Sequence, residues 1–480
     1  MSISTKQTPK GSQPQPKKGC QVSYKLGTKP EGGAKVYTLG GVLKTETDVA
    51  QVLAVKYNGL LRFDHRSGVW FELDEQSGIW NKCGKGQVEE YCRILADSEA
   101  AVTLRRNHAI RGAVAIAGRM PVFALDGSEW DADGWKCGTP HGVLDLTTGE
   151  FCPGTIQASR DSVALVHGKY LVSKSLVCAP ASTPSNLWLR CMDEWTGADK
   201  AMQRMLQVFC GYALTGSITE HKFMFLHGAG SNGKSVFVET IQYVLGDYSR
   251  AVPMDIFMAR QQDRHPAELA QLDGRRLVIA AETQSGRKWN DERIKMLTGG
   301  DRINARLMHQ NPYEFAPTFK LLLHGNYRPR ITDVGEAMRR RLRLVPFRFT
   351  PSNPDPDLGD KLRREAPGIL RWMLDGCLEW QKSALPESRA VNDATRRYFA
   401  ESDVIGQWLE DCCEERRDGK ASIAELWASW ERWCSANGGH ELTKRALGAE
   451  LTRRGFETGT ARMMSGARPV RVRFGITATS

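Results

Sequence analysis

The residues whose types and spacing point most directly to chemistry lie between positions 228 and 235. Gly228, Gly233, Lys234 and Ser235 fit the pattern G-x-x-x-x-G-K-[ST], which is typical of a loop that holds the phosphates of a nucleoside triphosphate. The residues between them are Ala229, Gly230, Ser231 and Asn232. Glycines let the backbone N–H groups turn toward phosphates, Lys234 is expected to reach the β- and γ-phosphates, and the Ser235 hydroxyl suits Mg²⁺. The pattern predicts ATP and Mg²⁺ as cofactors, and its alternative is a glycine-rich turn.

The elements that must position this loop are also predicted by the sequence. Residues 223–226 are a short apolar run suited to a buried strand, and residues 236–245 have the pattern of a helix that Gly246 ends. Strand, loop and helix therefore follow in the order that a phosphate-binding loop needs.

Two further apolar runs end in polar residues that suit the same site. Residues 276–283 read as a strand ending at Glu282, whose carboxylate could orient water or hold Mg²⁺. Residues 319–325 read as a third strand followed by Asn326, an amide suited to the γ-phosphate or to the attacking water. An Asn at a strand end is usually a turn former, so its assignment depends on the ordered series.

An arginine run precedes a fourth strand, predicted at residues 342–347. Arg339, Arg340 and Arg341 are either a solvated surface or the source of an arginine finger that reaches a neighbouring subunit's ATP.

The composition is that of a globular protein with a basic balance. The chain has 480 residues, 66 Lys and Arg against 55 Asp and Glu, and a net charge of +11, which favours polyanionic partners such as nucleic acid. No run of about 18 apolar residues predicts a membrane span, and the 12 cysteines show no C-x-x-C spacing and are expected to be reduced. We expect a soluble, intracellular protein without a membrane partner.

The chain divides into five predicted segments. Residues 1–36, with seven lysines and one acid, are a basic tail, and residues 37–186 form an α+β domain for assembly or DNA handling. The ATPase core is expected at 187–350, a helical linker region at 351–402 and a third domain at 403–480. Asp131 and Asp133 form a D-x-D among turn residues, which does not favour a primase active site.

The C-terminal domain shows a winged-helix pattern. Helices are predicted at 404–415, 423–436 and 443–454, followed by strands at 462–464 and 468–476, and residues 440–480 hold eight Lys/Arg and three acids. Candidate DNA contacts on the last helix are Lys444, Arg445, Arg453 and Arg454. The tryptophans at 427, 430 and 433 are expected to be core residues.

Taken together, these motifs resemble the superfamily 3 helicases, in particular the phage/plasmid primase-helicase group with a poxvirus-like helicase module. The resemblance is carried by residues 142–150, 211–216, 228–235, 294–301, Asn326 and 340–342. It implies an α/β, AAA+-type P-loop ATPase core that assembles as a ring, commonly a hexamer, around one DNA strand. One departure is that Ala281 precedes Glu282 where many such helicases have two acids.

The resemblance also implies roles for individual residues. Lys234 and Ser235 would be the Walker A pair, Glu282 the Walker B acid and Asn326 sensor 1, with Arg340 or, by preference, Arg341 as the finger. Residues 303–308 and 313–315 read as a hairpin, and in such helicases this hairpin lines the pore. Arg306 and His309, and less directly Lys295, are therefore expected to contact DNA phosphates.

The sequence thus predicts an ATP-dependent DNA helicase of phage or plasmid replication, acting in a bacterial host cytoplasm or its equivalent. Its partners would be single-stranded and duplex DNA, and the missing primase site leaves room for a primase on a separate chain. Two alternatives remain: a noncatalytic DNA-binding initiator or accessory switch, and a P-loop kinase.

Overall fold

The computed structural model describes most of the chain, in eleven stretches. They are residues 43–98, 102–153, 170–259, 267–282, 284, 286–306, 311–331, 335–351, 354–437, 442–463 and 468–479. These residues form two compact units: one runs to Ala132 and includes the segment 153–173, and the other contains residues 133–152 and 174 onward. The predicted basic tail lies outside the described residues. None of the helices in the described stretches has the length and hydropathy that a membrane span requires.

The first unit packs three helices against a four-stranded sheet. Its elements are α1 (Glu46–Lys56), β1 (Leu61–Asp64), β2 (Val69–Asp74), β3 (Ile79–Lys82), α2 (Gln87–Ser98), α3 (Asn107–Gly118) and β4 (Ala124–Leu125). The strand order is β3-β2-β1-β4, with β4 parallel to β1 and the other pairs antiparallel. Buried residues such as Leu53, Cys92, Ile110 and Phe123 form the helical core.

The second unit begins with a small sheet and continues into a larger α/β arrangement. Its first elements are β5 (Lys136–Thr139), β6 (Gly142–Asp145), β7 (Phe151–Pro153), α4 (Asn186–Thr196), α5 (Lys200–Tyr212), β8 (Phe223–His227), α6 (Lys234–Leu245), β9 (Ser249–Ala251), α7 (Ala267–Ala270) and β10 (Leu277–Glu282). The next are α8 (Asp291–Gly299), β11 (Ile303–Arg306), β12 (Pro312–Phe315), β13 (Lys320–Gly325), α9 (Glu336–Arg339), β14 (Leu342–Pro346), α10 (Leu358–Arg364), α11 (Ala366–Ser383) and α12 (Arg389–Ser402).

A five-stranded sheet of order β14-β8-β13-β10-β9 lies at the centre of this unit, and all its neighbouring strands are parallel. Alternate residues of a strand point to opposite faces, so Met224 and Leu226 pack in one core with Phe237, while Phe223 and Phe225 pack in another with Trp289. Burial on both faces explains why β8 is a continuous apolar run instead of an alternating one.

Two buried cations occupy the amino-terminal edge of this sheet. Arg276, just before β10, donates to the carbonyl oxygens of Lys136 and Leu214. Lys320, the first residue of β13, donates to the carbonyl oxygens of Thr215 and Ser217. Burial, together with the charge of Arg276, lowers the pKa of Lys320 well below its ordinary value.

The last part of the second unit combines three helices with a three-stranded sheet. The elements are α13 (Val404–Cys412), β15 (Cys413–Ser422), α14 (Ile423–Ala436), α15 (Lys444–Arg453), β16 (Thr458–Ala461) and β17 (Val470–Ala478), with sheet order β15-β17-β16. Trp430 and Trp433 are buried, which confirms that the tryptophan stripe is core.

Two sequence expectations for this part were wrong in detail. The helix predicted at 404–415 ends at Cys412, and the chain continues as β15, a strand that the sequence did not predict. The strand predicted at 462–464 lies instead at Thr458–Ala461. The predicted domain boundaries stay predictions.

Candidate nucleotide site

The register of the central sheet brings the predicted site residues to one edge. His227 at the end of β8 pairs with Gly325 at the end of β13, and Gly325 pairs with Glu282 at the end of β10. Asn326 follows β13 directly, and the glycine-rich loop follows β8. Ligands of parallel α/β sheets bind at the carboxyl ends of the strands, which is where this row lies.

The loop itself has the backbone conformation that its glycines predict. Gly233 is the N-cap of α6 and has φ 81°, and Ser231 has φ 59°, a left-handed value that a serine rarely adopts. A Cβ on Gly233 would collide with the indole ring of Trp195 in α4, so only glycine fits there. Trp195, which is buried, thereby supports the loop from behind.

Lys234 is folded against its own loop. Its ammonium donates to the carbonyl oxygens of Gly228 at 2.9 Å and Ala229 at 3.1 Å, and to Oδ1 of Asn232 at 2.7 Å. The side chain is buried, which lowers the pKa of Lys234 below its ordinary value. Three acceptors therefore satisfy the three donors of this cation.

Asn232 links the lysine to a second strand. Its Nδ2 donates to the carbonyl oxygen of Phe347 at 2.7 Å, and Phe347 follows directly after β14. A Cβ on Gly228 would collide with that same carbonyl oxygen and with the Asn232 amide. The loop thus closes over the end of β14 because a glycine stands at 228.

Glu282 is buried, and one of its oxygens has no partner among the described residues. Oε1 accepts a hydrogen bond from the backbone N–H of Gln284 at 2.7 Å, while Oε2 is buried without a hydrogen bond. A side chain at Gly325 would meet Cβ of Glu282 at 2.8 Å, so the glycine leaves room for the carboxylate. A buried carboxylate oxygen without a donor is costly, and a cation or a water would satisfy it.

Asn326 and Ser235 are both exposed on this edge. The Nδ2 atom of Asn326 lies 4.0 Å from the position that a Cβ on Gly230 would take, which brings the amide to the loop. Ser235 is the second residue of α6. The structure therefore brings together the whole loop, Asn326 and the strand that ends in Glu282.

The two arginines of the predicted finger differ in their surroundings. Arg340 is exposed, whereas Arg341 is 8% exposed and donates from Nε to Oγ1 of Thr298 at 3.2 Å and from a terminal nitrogen to the carbonyl oxygen of Ala337 at 2.9 Å. These contacts hold Arg341 inside its own chain. Of the two, we therefore favour Arg340 over Arg341 as the candidate finger.

The predicted hairpin is present as the antiparallel pair β11–β12. Arg306 is exposed at the end of β11, His309 lies outside the described residues, and Lys295 is half-buried in α8. Neither Arg306 nor Lys295 lies in the row of strand ends described above.

The cations of α15 fall into two groups. Lys444 and Arg445 are exposed in its first turn. In contrast, Arg453 forms a two-pronged pair with Glu450 at 2.6 and 2.7 Å, and Arg454 pairs with both Glu450 and Asp403. The expectation that all four cations are available to phosphates is corrected for Arg453 and Arg454.

Both acids of the D-x-D accept structural hydrogen bonds. Asp131 accepts from the N–H and the hydroxyl of Ser173 at 2.9 and 2.6 Å, and Asp133 accepts from the N–H of Trp135 at 2.9 Å. Within the described stretches, no cluster of three or more His, Cys, Asp or Glu residues could hold a metal ion.

Sequence reasoning missed three residues that shape the site. Gly325 and Phe347 were noted only as parts of strands and Trp195 was not singled out, yet each contacts or makes room for a site residue. A close approach of two backbones depends on tertiary packing and is not visible in the sequence. Only Gly325, a glycine at the end of a strand, could have indicated it.

The described residues fit a bound nucleotide with Mg²⁺. The loop supplies backbone N–H groups at a helix N-terminus and a buried lysine, and Oε2 of Glu282 is a buried oxygen that a cation or its water could satisfy. The pKa of His227, beside the loop, is lowered by burial and by the charges of Arg328 and Lys234.

Comparison with known proteins gives two family matches. A model described as "D5 N terminal like" matches residues 50–181, and one described as "Family of unknown function (DUF5906)" matches residues 226–341. The first covers most of the first unit, and the second spans the residues from the end of β8 to the arginine run.

Several curated relatives come from large DNA viruses. "Putative helicase L207/L206" of Acanthamoeba polyphaga mimivirus is 28% identical over 335 residues, covering 64% of this chain and 34% of that protein. "Putative helicase 022R" of Frog virus 3 is 26% identical, covering 52% and 28%, and "Putative primase C962R" of African swine fever virus is 20% identical, covering 58% and 31%. The chain spans about a third of the length of these relatives.

Among solved structures, the apo C-terminal region of NrS-1 has a TM-score of 0.51 at 10% identity, covering 90% of this chain and all of that one. This likeness concerns the fold alone, which is mixed α/β. By its family matches and its relatives, this chain is similar to D5-like primase-helicases.

Proposed function

We propose that the second unit is the motor of an ATP-dependent DNA helicase of phage or plasmid replication. The observation that carries the proposal is the register His227–Gly325–Glu282, which aligns the glycine-rich loop, Asn326 and Glu282 along one edge of a parallel sheet. The names of the viral relatives support the same reading. In this proposal the central sheet is an AAA+-type P-loop core, and residues 403–480 are a winged-helix domain.

Each residue of the edge has a task that follows from its position. Lys234 exchanges its bonds to loop oxygens for bonds to the β- and γ-phosphates, while the loop N–H groups hold the remaining phosphate oxygens. Ser235 and Oε2 of Glu282 would hold Mg²⁺ directly or through water, and Mg²⁺ would neutralise phosphate charge. Glu282 also orients the attacking water, and the Asn326 amide fixes that water against the γ-phosphate.

An exposed arginine completes the site from a neighbouring subunit. Arg340 has the solvent access that a trans-acting finger needs, and Arg341 holds the segment in place through Thr298 and Ala337. The chain would then work as a ring, commonly a hexamer, in which the β11–β12 hairpin contacts one DNA strand through Arg306 and His309, with Lys295 nearby. Duplex DNA would meet the first turn of α15.

The decisive experiment measures ATP turnover with and without single-stranded DNA, and strand displacement on a forked duplex. We expect the purified chain to hydrolyse ATP faster with DNA and to unwind the fork, and Lys234→Ala to do neither. Duplex binding and ATP binding without strand displacement would favour the initiator or accessory switch. Transfer of the phosphate to a small acceptor would favour the P-loop kinase.

A further inference from the structure

The first unit carries a cleft that the nucleotide site does not explain. It has a volume of about 370 Å³ and lies between the end of β1 and helix α3, entirely within this unit. A volume of this size is typical of sites that hold small ligand groups. Its walls combine aromatic rings with arginines.

The helix wall is a row of exposed residues at helical spacing. Arg111, Ala115 and Arg119 are all exposed and recur every four positions, which places them on one face of α3 and at its end. The opposite face, with Ile110 and Ala113, is buried in the core of the unit. Arg111 and Arg119 are eight residues apart, so their Cα atoms are separated by about 12 Å along the helix axis.

The strand wall is aromatic. Phe63 packs against α3, since a Cβ on Gly118 would lie only 3.2 Å from its ring. The exposed ring of His65 meets Phe63 edge-on, with centroids 4.9 Å apart, and Trp70 backs Phe63 with centroids 5.1 Å apart. Phe63 and His65 therefore present ring surface to the cleft, while Trp70 is its buried floor.

The arginines of the cleft keep donors available. Arg111 approaches Glu89 at 3.8 Å, but the two side chains are 74% and 39% exposed, and such a pair contributes little. No ion pair of Arg119 occurs among the described residues. The wall thus has two guanidinium groups against one carboxylate, a balance that suits an anion.

We propose that this cleft binds single-stranded nucleic acid, with an unpaired base against Phe63 and His65 and backbone phosphates at Arg111 and Arg119. Proteins that bind single strands combine aromatic platforms with a cationic track along the backbone. A duplex hides its base faces in its own stack, and two arginines whose Cα atoms lie about 12 Å apart along the helix axis suit a strand better than the adjoining phosphates of a free nucleotide. The site needs no ATP and is independent of the proposed motor.

Binding of labelled oligothymidylate to the full chain, without ATP and across a salt series, tests the phosphate contacts. For Arg111→Ala with Arg119→Ala we expect weaker binding and a log-log salt slope smaller by about 1.4, since each phosphate contact to a single strand contributes about 0.7. The matched control is Lys82→Ala with Lys85→Ala, two exposed cations of the same unit outside the cleft, which should leave the slope unchanged. Equal slopes in the two double variants would overturn the proposal.

The base contact has its own test. His65→Ala should weaken binding about fivefold or more, the lower end of one stacking contact, and His65→Trp should restore it. Ultraviolet crosslinking of an iodouracil-containing strand should label the peptide that carries Phe63 and His65, and an unlabelled duplex of equal length should not compete for that label. Labelling only in the second unit, or equal competition by the duplex, would overturn the proposal. ATPase and unwinding are measured separately, so a failed motor and a failed cleft give different results.

Discussion

The side-chain amide of Asn232 donates a hydrogen bond to the carbonyl oxygen of Phe347 at 2.7 Å, and its oxygen accepts one from Lys234. One buried residue therefore ties the cation of the loop to the strand that begins just after Arg341. When Lys234 turns to a phosphate, Asn232 loses one of its two partners. A movement of Lys234 can therefore change the hydrogen bond by which Asn232 holds the end of β14.

Asn232→Ala should destabilise the protein by about 1–3 kcal/mol, because it leaves the buried carbonyl oxygen of Phe347 and the ammonium of Lys234 each short of a partner. The measurement is the free energy of unfolding from denaturant titration. Asn304→Ala, at an exposed asparagine of β11, is the control and should change stability by less than about 0.5 kcal/mol. Equal effects in the two variants would contradict the bridging role.

Substitutions of Lys234 and Glu282 should impair different steps of ATP hydrolysis. Lys234→Ala should abolish ATP turnover and weaken ATP binding, since it removes the loop's cation. Glu282→Gln should retain ATP binding but slow hydrolysis by about a hundredfold or more, because a neutral amide activates the attacking water less than a carboxylate does. Equilibrium binding of a labelled ATP analogue and steady-state turnover separate the two. Hydrolysis by Glu282→Gln at the parent rate would show that the acid has another role.

The two arginines should separate stability from activity. Arg341→Ala should lower the free energy of unfolding by about 1–3 kcal/mol, because Arg341 is buried and bonded to Thr298 and Ala337. Arg340→Ala should leave stability unchanged but remove most ATP turnover if Arg340 is the finger.

Subunit mixing tests whether Arg340 acts in trans. Arg340→Ala protein, which keeps an intact loop, is mixed with Lys234→Ala protein, which keeps an intact finger. Coassembly should restore ATP turnover at mixed interfaces. Coassembled mixtures without any recovered activity would argue that Arg340 does not act across subunits.

The cations of α15 should also differ in how much they contribute to duplex binding. Lys444→Ala with Arg445→Ala should weaken duplex binding and reduce the log-log salt slope by up to about 1.8 if both meet B-DNA phosphates. Arg453→Ala should have a smaller effect on the slope, since Glu450 already holds its guanidinium. Duplex binding over a salt series measures both, and ATPase without DNA should survive in each. A slope smaller by about 0.9 in Arg453→Ala would show that the Glu450 pair opens on binding.

Glu220 should make the second unit sensitive to acid. Burial opposes its ionisation, but hydrogen bonds from Lys222, Trp380 and the N–H of Leu385 outweigh burial and lower its pKa below the ordinary value of 4.5. A lowered carboxyl pKa contributes stability that is present above the ordinary value and is lost as the pH falls through the lowered value.

Glu220→Gln should therefore reduce stability at pH 7 and lessen the loss of stability as the pH falls below the ordinary value of 4.5. Thermal unfolding at a series of pH values measures both effects. The control is Glu425→Gln, at an exposed helix cap outside this network. A parallel pH dependence of the parent and Glu220→Gln would contradict the assignment.

The parts that the sequence predicted are those with a local signal. The apolar run of β8, the glycines of the loop and the polar residues after β10 and β13 are visible as patterns, and the structure places them as expected. Strand β15 has no such signal: its sequence CEERRDGKAS is polar, and it exists because β17 pairs with it. Likewise, the burial of Arg341 and the pairing of Arg454 with Asp403 depend on partners distant in sequence, which spacing cannot reveal.

The buried cations Arg276 and Lys320 have a mechanical consequence for the opposite end of the sheet. They anchor the first residues of the strands that lead to Glu282 and Asn326, about 20 Å away at 3.3 Å per residue. A slip of either strand by two residues would carry its acid or amide about 6.6 Å from the glycine-rich loop, and would pull a charged group away from its carbonyl oxygens into an apolar core. The two buried cations at the far end of the strands therefore oppose strand slippage and keep Glu282 and Asn326 aligned.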